Sequence, residues 1–248
     1  MNTRKIIRTG RFVAALFVAF VASIAGCAAP STAAAPAHEA SVKPGINDEY
    51  RKGDIPRWQG RLEAESREVY RERERIVAAA GVRPGETVAD IGAGTGLLTL
   101  LLAKATGPAG KVYAQDIIPE FVKHLGERAA AEGLKNVVPT LGKEDSAELA
   151  AGSLDVAFIC DTYHHFEYPK TMMATIHAAL KPGGRLVIVD FERIPGVSSE
   201  WILGHVRAGR AEVELELREA GFELLPAQPE TSFLKDNWMA IFRRVERR

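Results

Sequence analysis

Residues 87–97 read Thr-Val-Ala-Asp-Ile-Gly-Ala-Gly-Thr-Gly-Leu, and this stretch decides the fold. A short apolar run, Thr87–Ile91, leads into three alternating glycines, and a leucine-rich run, 97–102, follows at once. Glycine adopts positive φ angles and lets a ligand approach the bare backbone, while the first turn of a helix offers N–H groups without intrahelical partners. The stretch therefore predicts a strand, a tight turn and a helix start that together bind a small polar ligand.

The spacing of these glycines separates two kinds of nucleotide-binding turn. A dinucleotide fingerprint has the pattern G-x-G-x-x-G. Gly92 and Gly94 fit that pattern, but Leu97 stands where its third glycine belongs. The chain instead carries G-x-G-x-G with an acid, Asp90, two residues before the first glycine. The turn alone is ambiguous, so the rest of the chain has to identify the ligand.

Further acidic residues follow the ends of the other predicted strands. They are Asp116 after strand Lys111–Gln115, Glu144 and Asp145 after Val137–Gly142, and Asp161 after Leu154–Ile159 and Cys160. A turn with the sequence Lys-Pro-Gly-Gly, residues 181–184, precedes strand Leu186–Val189. Strands and helices alternate, which predicts parallel βαβ units. Because ligands bind beyond the carboxyl ends of such strands, these acids are candidate ligand contacts.

This ordered set resembles the class I S-adenosylmethionine (SAM)-dependent methyltransferases over residues 60–248. In the glycine loop and the Lys-Pro-Gly-Gly turn it is most similar to methyltransferases of the ubiquinone/menaquinone-biosynthesis type. The resemblance implies an α/β fold: a Rossmann-like, seven-stranded, mostly parallel sheet in the order 3-2-1-4-5-7-6, with the last strand antiparallel and helices on both faces. It also implies SAM as the cofactor and in-line methyl transfer to a small-molecule acceptor.

The resemblance implies a set of cofactor-binding residues at the first two strands. Gly92, Ala93, Gly94 and Gly96 would pass under the methionine and ribose parts of SAM. Asp90 would either hold the loop by hydrogen bonds or contact the ammonium group of the cofactor, or it is a structural carboxylate that satisfies turn N–H groups. Asp116 would accept both ribose hydroxyls, and Ile117 would press on the adenine.

Strands three and four supply the other expected cofactor contacts. Asp145 is expected to accept from the adenine amino group, with Glu144 as its competitor and a helix N-cap before 147–150 as its alternative role. The backbone at Cys160 is expected to contact SAM, and the Cys160 side chain to be a small buried hydrophobe rather than a nucleophile. Asp161 belongs to the same cofactor-binding set.

Two histidines follow strand four beside the expected position of the sulfonium. His164 and His165 are adjacent, so we expect them to point to different sides, and one of them to act as the general base. The alternative is a histidine that only orients the substrate. Asp161 and Asp190 end neighbouring strands, as in catechol-type methyltransferases that bind a divalent metal. Phe191-Glu192-Arg193 follows where that group carries a third oxygen ligand, so we predict hydrogen-bonding carboxylates and no metal.

Amphipathic patterns predict two long helices, over Arg61–Ala80 and over Ser198–Ala220. On the first helix, Glu63 and Arg67 are spaced for a surface ion pair. Residues that precede or follow the core of the fold are candidates for covering the ligands. They are Trp58, Arg61 and Tyr70 as a lid over the cofactor, with a place in the helix core as the alternative for Tyr70, and Trp201 and His205 in the acceptor pocket, with simple packing as the alternative for Trp201.

The N-terminus predicts a targeting segment. A basic start, residues 4–11, precedes an apolar run, Phe12–Ile24, of the length found in secretory signals and too short for a comfortable membrane span. Residues 24–27 read Ile-Ala-Gly-Cys and resemble a bacterial lipobox, with Cys27 as the lipidated residue.

This leader sets the predicted organisation and location of the chain. We predict a signal peptide or lipoprotein leader over 1–26, a flexible linker over 27–50 and the SAM-dependent methyltransferase domain over 51–248. The protein is expected to be exported or membrane-anchored on the periplasmic side, or cytoplasmic if the leader is not functional. A membrane-tethered enzyme would suit a lipophilic acceptor.

Composition and motifs bound the remaining functions. The 248 residues are 46% hydrophobic, enough for a sizeable core, and 32 basic residues balance 32 acidic ones. Such a neutral balance argues against a nucleic-acid-binding protein. Two rival functions are considered. One is a NAD-linked oxidoreductase, but this chain lacks the third glycine and the Tyr-x-x-x-Lys pair of such enzymes. The other is a non-catalytic binding protein on a methyltransferase scaffold. The second is motivated by export away from the cytoplasmic SAM pool.

Overall fold

The structure of the protein, a computed structural model, describes residues 39–226 and 228–246. These residues form seven β-strands and seven α-helices. The strands are β1 Thr87–Ile91, β2 Lys111–Asp116, β3 Val137–Leu141, β4 Leu154–Cys160, β5 Leu180–Phe191, β6 Phe222–Leu224 and β7 Asn237–Arg244. The helices are α1 Ile55–Leu62, α2 Glu68–Ala79, α3 Leu97–Thr106, α4 Pro119–Ala131, α5 Pro169–Ala179, α6 Glu200–His205 and α7 Arg210–Glu219.

The strands form one sheet in the order β3-β2-β1-β4-β5-β7-β6, which confirms the predicted fold. Strands β1 to β5 pair in parallel, and β7 runs antiparallel to both β5 and β6. Strands β1 and β4 are neighbours at the centre, although β2 and β3 separate them in sequence. The order of the strands reverses there, so a crevice opens beyond the carboxyl ends of β1 and β4.

The Lys-Pro-Gly-Gly sequence forms an irregularity at the start of β5. Leu180 pairs with Leu154 and Arg185 with Val156, so β5 advances five residues while β4 advances two. Gly183 has a φ of +72°, a conformation that glycine adopts readily. The extra residues therefore loop out of the ladder before the pairing resumes.

Each face of the sheet buries its own hydrophobic core. Alternate residues of a strand point to opposite faces, so Val88 packs with α2 and α3, whereas Ala89 packs with α5 and α7. The residues of β4 divide in the same way: Phe158 belongs to the core with Val88, and Ile159 belongs to the core with Ala89. Both faces are therefore covered, as a mostly parallel sheet requires.

Both long helices predicted from the sequence are wrong, because each is two helices. The expected helix over Arg61–Ala80 is interrupted by residues 63–67, which lie between α1 and α2. The expected helix over Ser198–Ala220 is interrupted by residues 206–209, between α6 and α7. Val206 has an extended backbone and is buried. Its apolar side chain fits the helical pattern of the sequence, but it packs into the core from the break between α6 and α7. Residues 142–153 form no helix, which excludes the N-cap role proposed for Asp145.

Residues 39–50, predicted as the end of a flexible linker, lie against the domain. Val42 N donates to Glu167 O at 2.9 Å, and Asn47 Nδ2 donates to His165 O at 3.1 Å. The predicted leader over 1–26 and Cys27, the residue predicted to be lipidated, lie outside the described residues. Within the described residues, we find no helix with the length and apolar character needed to span a membrane.

Candidate active site

A cavity of about 600 Å³ lies beyond the carboxyl ends of β1, β2 and β4. Its volume falls within the range of small-molecule and cofactor sites. Most of the predicted site residues line it: Asp90, Gly92, Ala93, Gly94, Asp116, Ile117, Cys160, Asp161, His164 and His165. Two predicted residues, Gly96 and Asp145, are not among its lining residues.

The glycine loop is held to β2 by backbone hydrogen bonds. Gly92 N and Ala93 N both donate to Gln115 O at 2.9 Å. Gly92 has a φ of +71°, and a Cβ at this position would lie 2.2 Å from Thr162 Cγ2. The loop after β4 therefore approaches so closely that a side chain at position 92 does not fit. At Gly96 a Cβ would lie 2.7 Å from Leu125 Cδ2, so that glycine serves the contact with α4 rather than the cavity.

We expect Gly92→Ala to lower the free energy of unfolding by about 2 kcal/mol more than Gly152→Ala. Both glycines have positive φ, +71° and +62°, but a Cβ at Gly152 would meet nothing within 4 Å. Backbone strain is therefore similar in the two variants, and the difference measures the overpacking against Thr162. Urea unfolding of both variants checks this. Equal losses would show that Thr162 yields and that the close approach is not decisive.

Asp116, at the end of β2, is buried and bonded to the glycine loop. Its Oδ2 accepts from Gly94 N at 2.9 Å, and its Oδ1 accepts from Ile118 N at 3.0 Å. Burial raises the pKa of the Asp116 carboxyl to about 6, although these backbone N–H groups favour the charged form. The carboxylate predicted to bind a sugar therefore also fixes the loop that lies beside it.

Asp90, at the end of β1, is a buried acid whose bonding differs from the sequence-based alternatives. Its Oδ2 accepts from Thr99 Oγ1 on α3 at 2.6 Å, so the contact is to a helix side chain and not to turn N–H groups. Burial raises the pKa of the Asp90 carboxyl to about 7. It lines the cavity, and a contact with a cofactor ammonium group stays a prediction.

The two acids after β3 lie in different places. Glu144 lines the main cavity and forms an ion pair with Arg51. Asp145 lines a smaller neighbouring hollow, which shares Glu144 and Ile117 with the main cavity. The predicted competitor of Asp145 is therefore the residue that reaches the main cavity, while contact of Asp145 with an adenine stays a prediction.

The segment after β4 contains an ion pair that the sequence did not predict. Asp161 has a φ of +47° and forms an ion pair with Arg67. Its Oδ1 accepts from Asn237 Nδ2 at 2.6 Å. The predicted pair between Glu63 and Arg67 is wrong, because the helix breaks between them and Glu63 pairs with Arg128 on α4.

The cysteine that ends β4 is unsuited to covalent chemistry. Burial, followed by the neighbouring Asp161 carboxylate, raises the pKa of the Cys160 thiol well above its usual value. A thiol reacts as the thiolate, so Cys160 stays protonated and inert at neutral pH. Its carbonyl oxygen accepts from Thr162 Oγ1 at 2.9 Å, which holds the loop over the glycine turn.

Part of the predicted lid covers the cavity. Trp58 on α1 is buried and stacks on Tyr50, with 3.9 Å between the ring centroids. Trp58 and Arg61 line the cavity, but Tyr70 is not among its lining residues. The Tyr70 ring instead lies against the Arg73 guanidinium at 4.5 Å.

Glu68, which attaches the start of α2 to the start of β7, could not be recognised from the sequence. It is buried at the start of α2 and accepts from the backbone N–H groups of three consecutive residues. These are Lys235 at 2.6 Å, Asp236 at 2.9 Å and Asn237 at 2.9 Å. The partners lie more than 160 residues away, so no local pattern could reveal them.

The sequence predicted that His164 and His165 point to different sides, and this prediction is wrong. They lie in a 3-10 turn, Tyr163–His165, which brings their ring centroids to 4.4 Å. His205, at the end of α6, lies 5.1 Å from each of them. We call these three residues the histidine cluster. Trp201 stacks on His205 at 4.7 Å, and both line the cavity as predicted.

Asp190, at the end of β5, orients the buried His164. Its Oδ1 lies 2.7 Å from His164 Nδ1, and its Oδ2 accepts from His164 N at 3.1 Å. Burial, aided by the charges of His164 and His205, lowers the pKa of His165 well below its usual value. Burial also lowers the pKa of His205 to about 4. His165 and His205 are therefore neutral at pH 7.

Comparison with known proteins identifies the class. The sequence profile of the family described as "Methyltransferase domain" matches residues 83–246. The chain is 26% identical to a SAM-dependent methyltransferase of Aquifex aeolicus, with a TM-score of 0.66, over 77% of this chain and 99% of that one. The magnesium protoporphyrin IX methyltransferase of Synechocystis, solved with bound S-adenosylhomocysteine, shares the fold at 20% identity, with a TM-score of 0.59 over 80% and 98% of the chains.

The chain belongs to the methyltransferase domain family. Its curated relatives include the ubiquinone/menaquinone biosynthesis C-methyltransferase UbiE of Burkholderia mallei, at 32% identity over 119 residues. The match covers 48% of this chain and 48% of that protein. The chain thus spans about half the length of the curated relatives it matches.

Proposed function

We propose that this protein transfers a methyl group from SAM to a small acceptor held at the histidine end of the cavity. The observation that carries the proposal is that a single cavity joins the glycine loop to the histidine cluster. A cofactor on the loop and an acceptor on the cluster would share that space. When bound, SAM supplies an electrophilic methyl group on a sulfonium.

The loop end of the cavity suits an adenosyl group that carries an amino acid. The bare backbone at Gly92 and Gly94 permits a close approach. The buried carboxylate of Asp116 can accept from the two ribose hydroxyls while it holds Gly94 N. Ile117 offers an apolar surface to the adenine. These residues fit SAM by chemistry as well as by shape.

The other end of the cavity suits an acceptor with an apolar body and one ionisable group. Phe191, Trp201 and Tyr50 line it with aromatic surface. If His164 Nδ1 carries the proton and donates a hydrogen bond to Asp190, the lone pair of His164 lies on Nε2. His164 Nε2 can then take up the proton that an oxygen, nitrogen or carbon acceptor loses.

Alignment and exclusion of water supply the rest of the rate enhancement. Orientation of two reactants is worth roughly 7–11 kcal/mol in favourable cases. Trp58 and Tyr50 lie over the cavity as a stacked pair, which restricts solvent. A dry site favours a reaction in which the positive charge of the donor disappears. An apolar acceptor also agrees with the predicted leader, which we propose anchors the protein to the membrane on the periplasmic side.

We expect the full-length protein to bind one SAM per chain in isothermal titration, and NAD not to displace it. Incubation with SAM labelled in its methyl group and a panel of phenolic, quinol, amine and thiol acceptors should then transfer the label. Absence of SAM binding would contradict the proposal. SAM binding without label transfer to any acceptor would favour the non-catalytic alternative.

A further inference from the structure

The histidine cluster brings three candidate metal ligands together from separate parts of the chain. One nitrogen from each of His164, His165 and His205 lies within 4.8 Å of the others. Two come from the 3-10 turn after β4 and the third from the end of α6. No hydrogen bond within the described residues joins the three rings to one another.

We propose that His164, His165 and His205 bind a divalent transition-metal ion, with Zn²⁺ as the best match, at the acceptor end of the cavity. Imidazole ligands suit zinc, copper, iron and nickel. A catalytic zinc site has three protein ligands at roughly 2.0–2.1 Å and leaves the fourth position open. Ligand nitrogens in such a site lie about 3.3 Å apart, so modest side-chain rotations would close the site around an ion.

Asp190 supplies the outer contact that metal-binding histidines need. Its Oδ1 lies 2.7 Å from His164 Nδ1. With the proton on Nδ1, the lone pair of His164 Nε2 is available to a cation. A carboxylate behind a ligating histidine fixes the ring and raises its basicity. The second oxygen of Asp190 accepts from His164 N at 3.1 Å, so the carboxylate is itself held in place.

The other two imidazoles are chemically ready to coordinate. His165 Nδ1 is buried and has no hydrogen-bond partner among the residues that the structure describes. Buried polar atoms are nearly always satisfied, and a bound cation would satisfy this ring.

The charges around the cluster also permit a cation. Asp190 contacts it directly, and Asp161 lies on the same loop. Three cations lie near the cluster, and each has a partner: Arg67 pairs with Asp161, Lys43 Nζ donates to the carbonyl oxygens of Gly204 and His205, and Arg61 lies over the Trp58 ring. The role of the ion rests on the proposed function: it would polarise the acceptor and lower its pKa. With the ion bound, the imidazoles would act as ligands, and the acceptor would release its proton to solvent instead of to a histidine.

Metal titration of the full-length protein tests the proposal without an activity assay. After removal of metals with a chelator, the protein is titrated with Zn²⁺ in competition with a chromophoric chelator, and with Co²⁺ by visible absorption. We expect one equivalent to bind, with the intense spectrum of four-coordinate cobalt. His205→Gln and His165→Gln should weaken binding by about 100-fold or more, and Asp190→Asn by about 10–100-fold.

His124→Gln is the matched control, since His124 is a partly buried histidine on α4 outside the cluster. It should bind Zn²⁺ as the unmodified protein does. The metal site would be overturned if the unmodified protein did not bind Zn²⁺, or if all the variants bound Zn²⁺ equally well. Titration with SAM separates this result from the proposed function, because His205→Gln leaves the glycine loop intact and should still bind SAM. Failure of SAM to bind the unmodified protein would overturn the proposed function alone.

Discussion

Asp116→Ala should weaken SAM binding by at least about tenfold. The variant removes the carboxylate proposed to accept from the ribose hydroxyls, and hydrogen bonds to a charged group are worth about 1.5–3 kcal/mol. It also leaves Gly94 N and Ile118 N without their acceptor, so the glycine loop loses its fixed geometry. Isothermal titration at pH 7.5 measures the effect, because a pKa of about 6 leaves Asp116 ionised there.

Asp155→Ala is the matched control for this experiment. Asp155 is also a strand acid that accepts from a backbone N–H, Thr87 N at 2.9 Å, but it lies at the start of β4, at the opposite edge of the sheet. We expect it to leave SAM affinity unchanged. Unchanged affinity in Asp116→Ala would mean that the ribose assignment is wrong. A similar loss in both variants would point to general destabilisation instead.

The central part of the fold could be predicted because its signals are local. Thr87–Ile91, the glycines and the leucines of α3 are consecutive, so one stretch of sequence encodes a strand, a turn and a helix. The acids after β2 and β4 were predicted for a second reason. Parallel strands bring their carboxyl ends to one edge, so Asp116 and Asp161 had to face the same crevice once the sheet was parallel.

The contacts that complete the site could not be predicted, because they join distant residues. Arg67 lies on a stretch with helical periodicity, and only the break at 63–67 frees it to reach Asp161, 94 residues later. The convergence of His205 with His164 depends in the same way on where α6 ends. Adjacent histidines were expected to diverge as in an extended segment, but a 3-10 turn places both rings together.

Glu68→Ala should lower the free energy of unfolding by about 3 kcal/mol or more, the largest loss of stability that we expect. The buried carboxylate accepts from three backbone N–H groups, those of residues 235–237. Its removal leaves these donors unsatisfied, at about 1–3 kcal/mol for each that water cannot reach. Urea unfolding followed by circular dichroism measures the loss. Glu74→Gln, at an exposed position of the same helix, should change it by less than about 0.5 kcal/mol.

The same variant should also weaken SAM binding, because Glu68 anchors α2 to Asp236 and Asn237, which line the cavity. It holds Asn237 N at 2.9 Å, and Asn237 Nδ2 in turn donates to Asp161 beside the glycine loop. Without Glu68, the start of β7 and the start of α2 lose their shared anchor, and Arg67 next to it loses its alignment on Asp161. A stability loss with unchanged SAM affinity would show that the anchor supports the fold only. Unchanged stability would mean that water replaces the carboxylate.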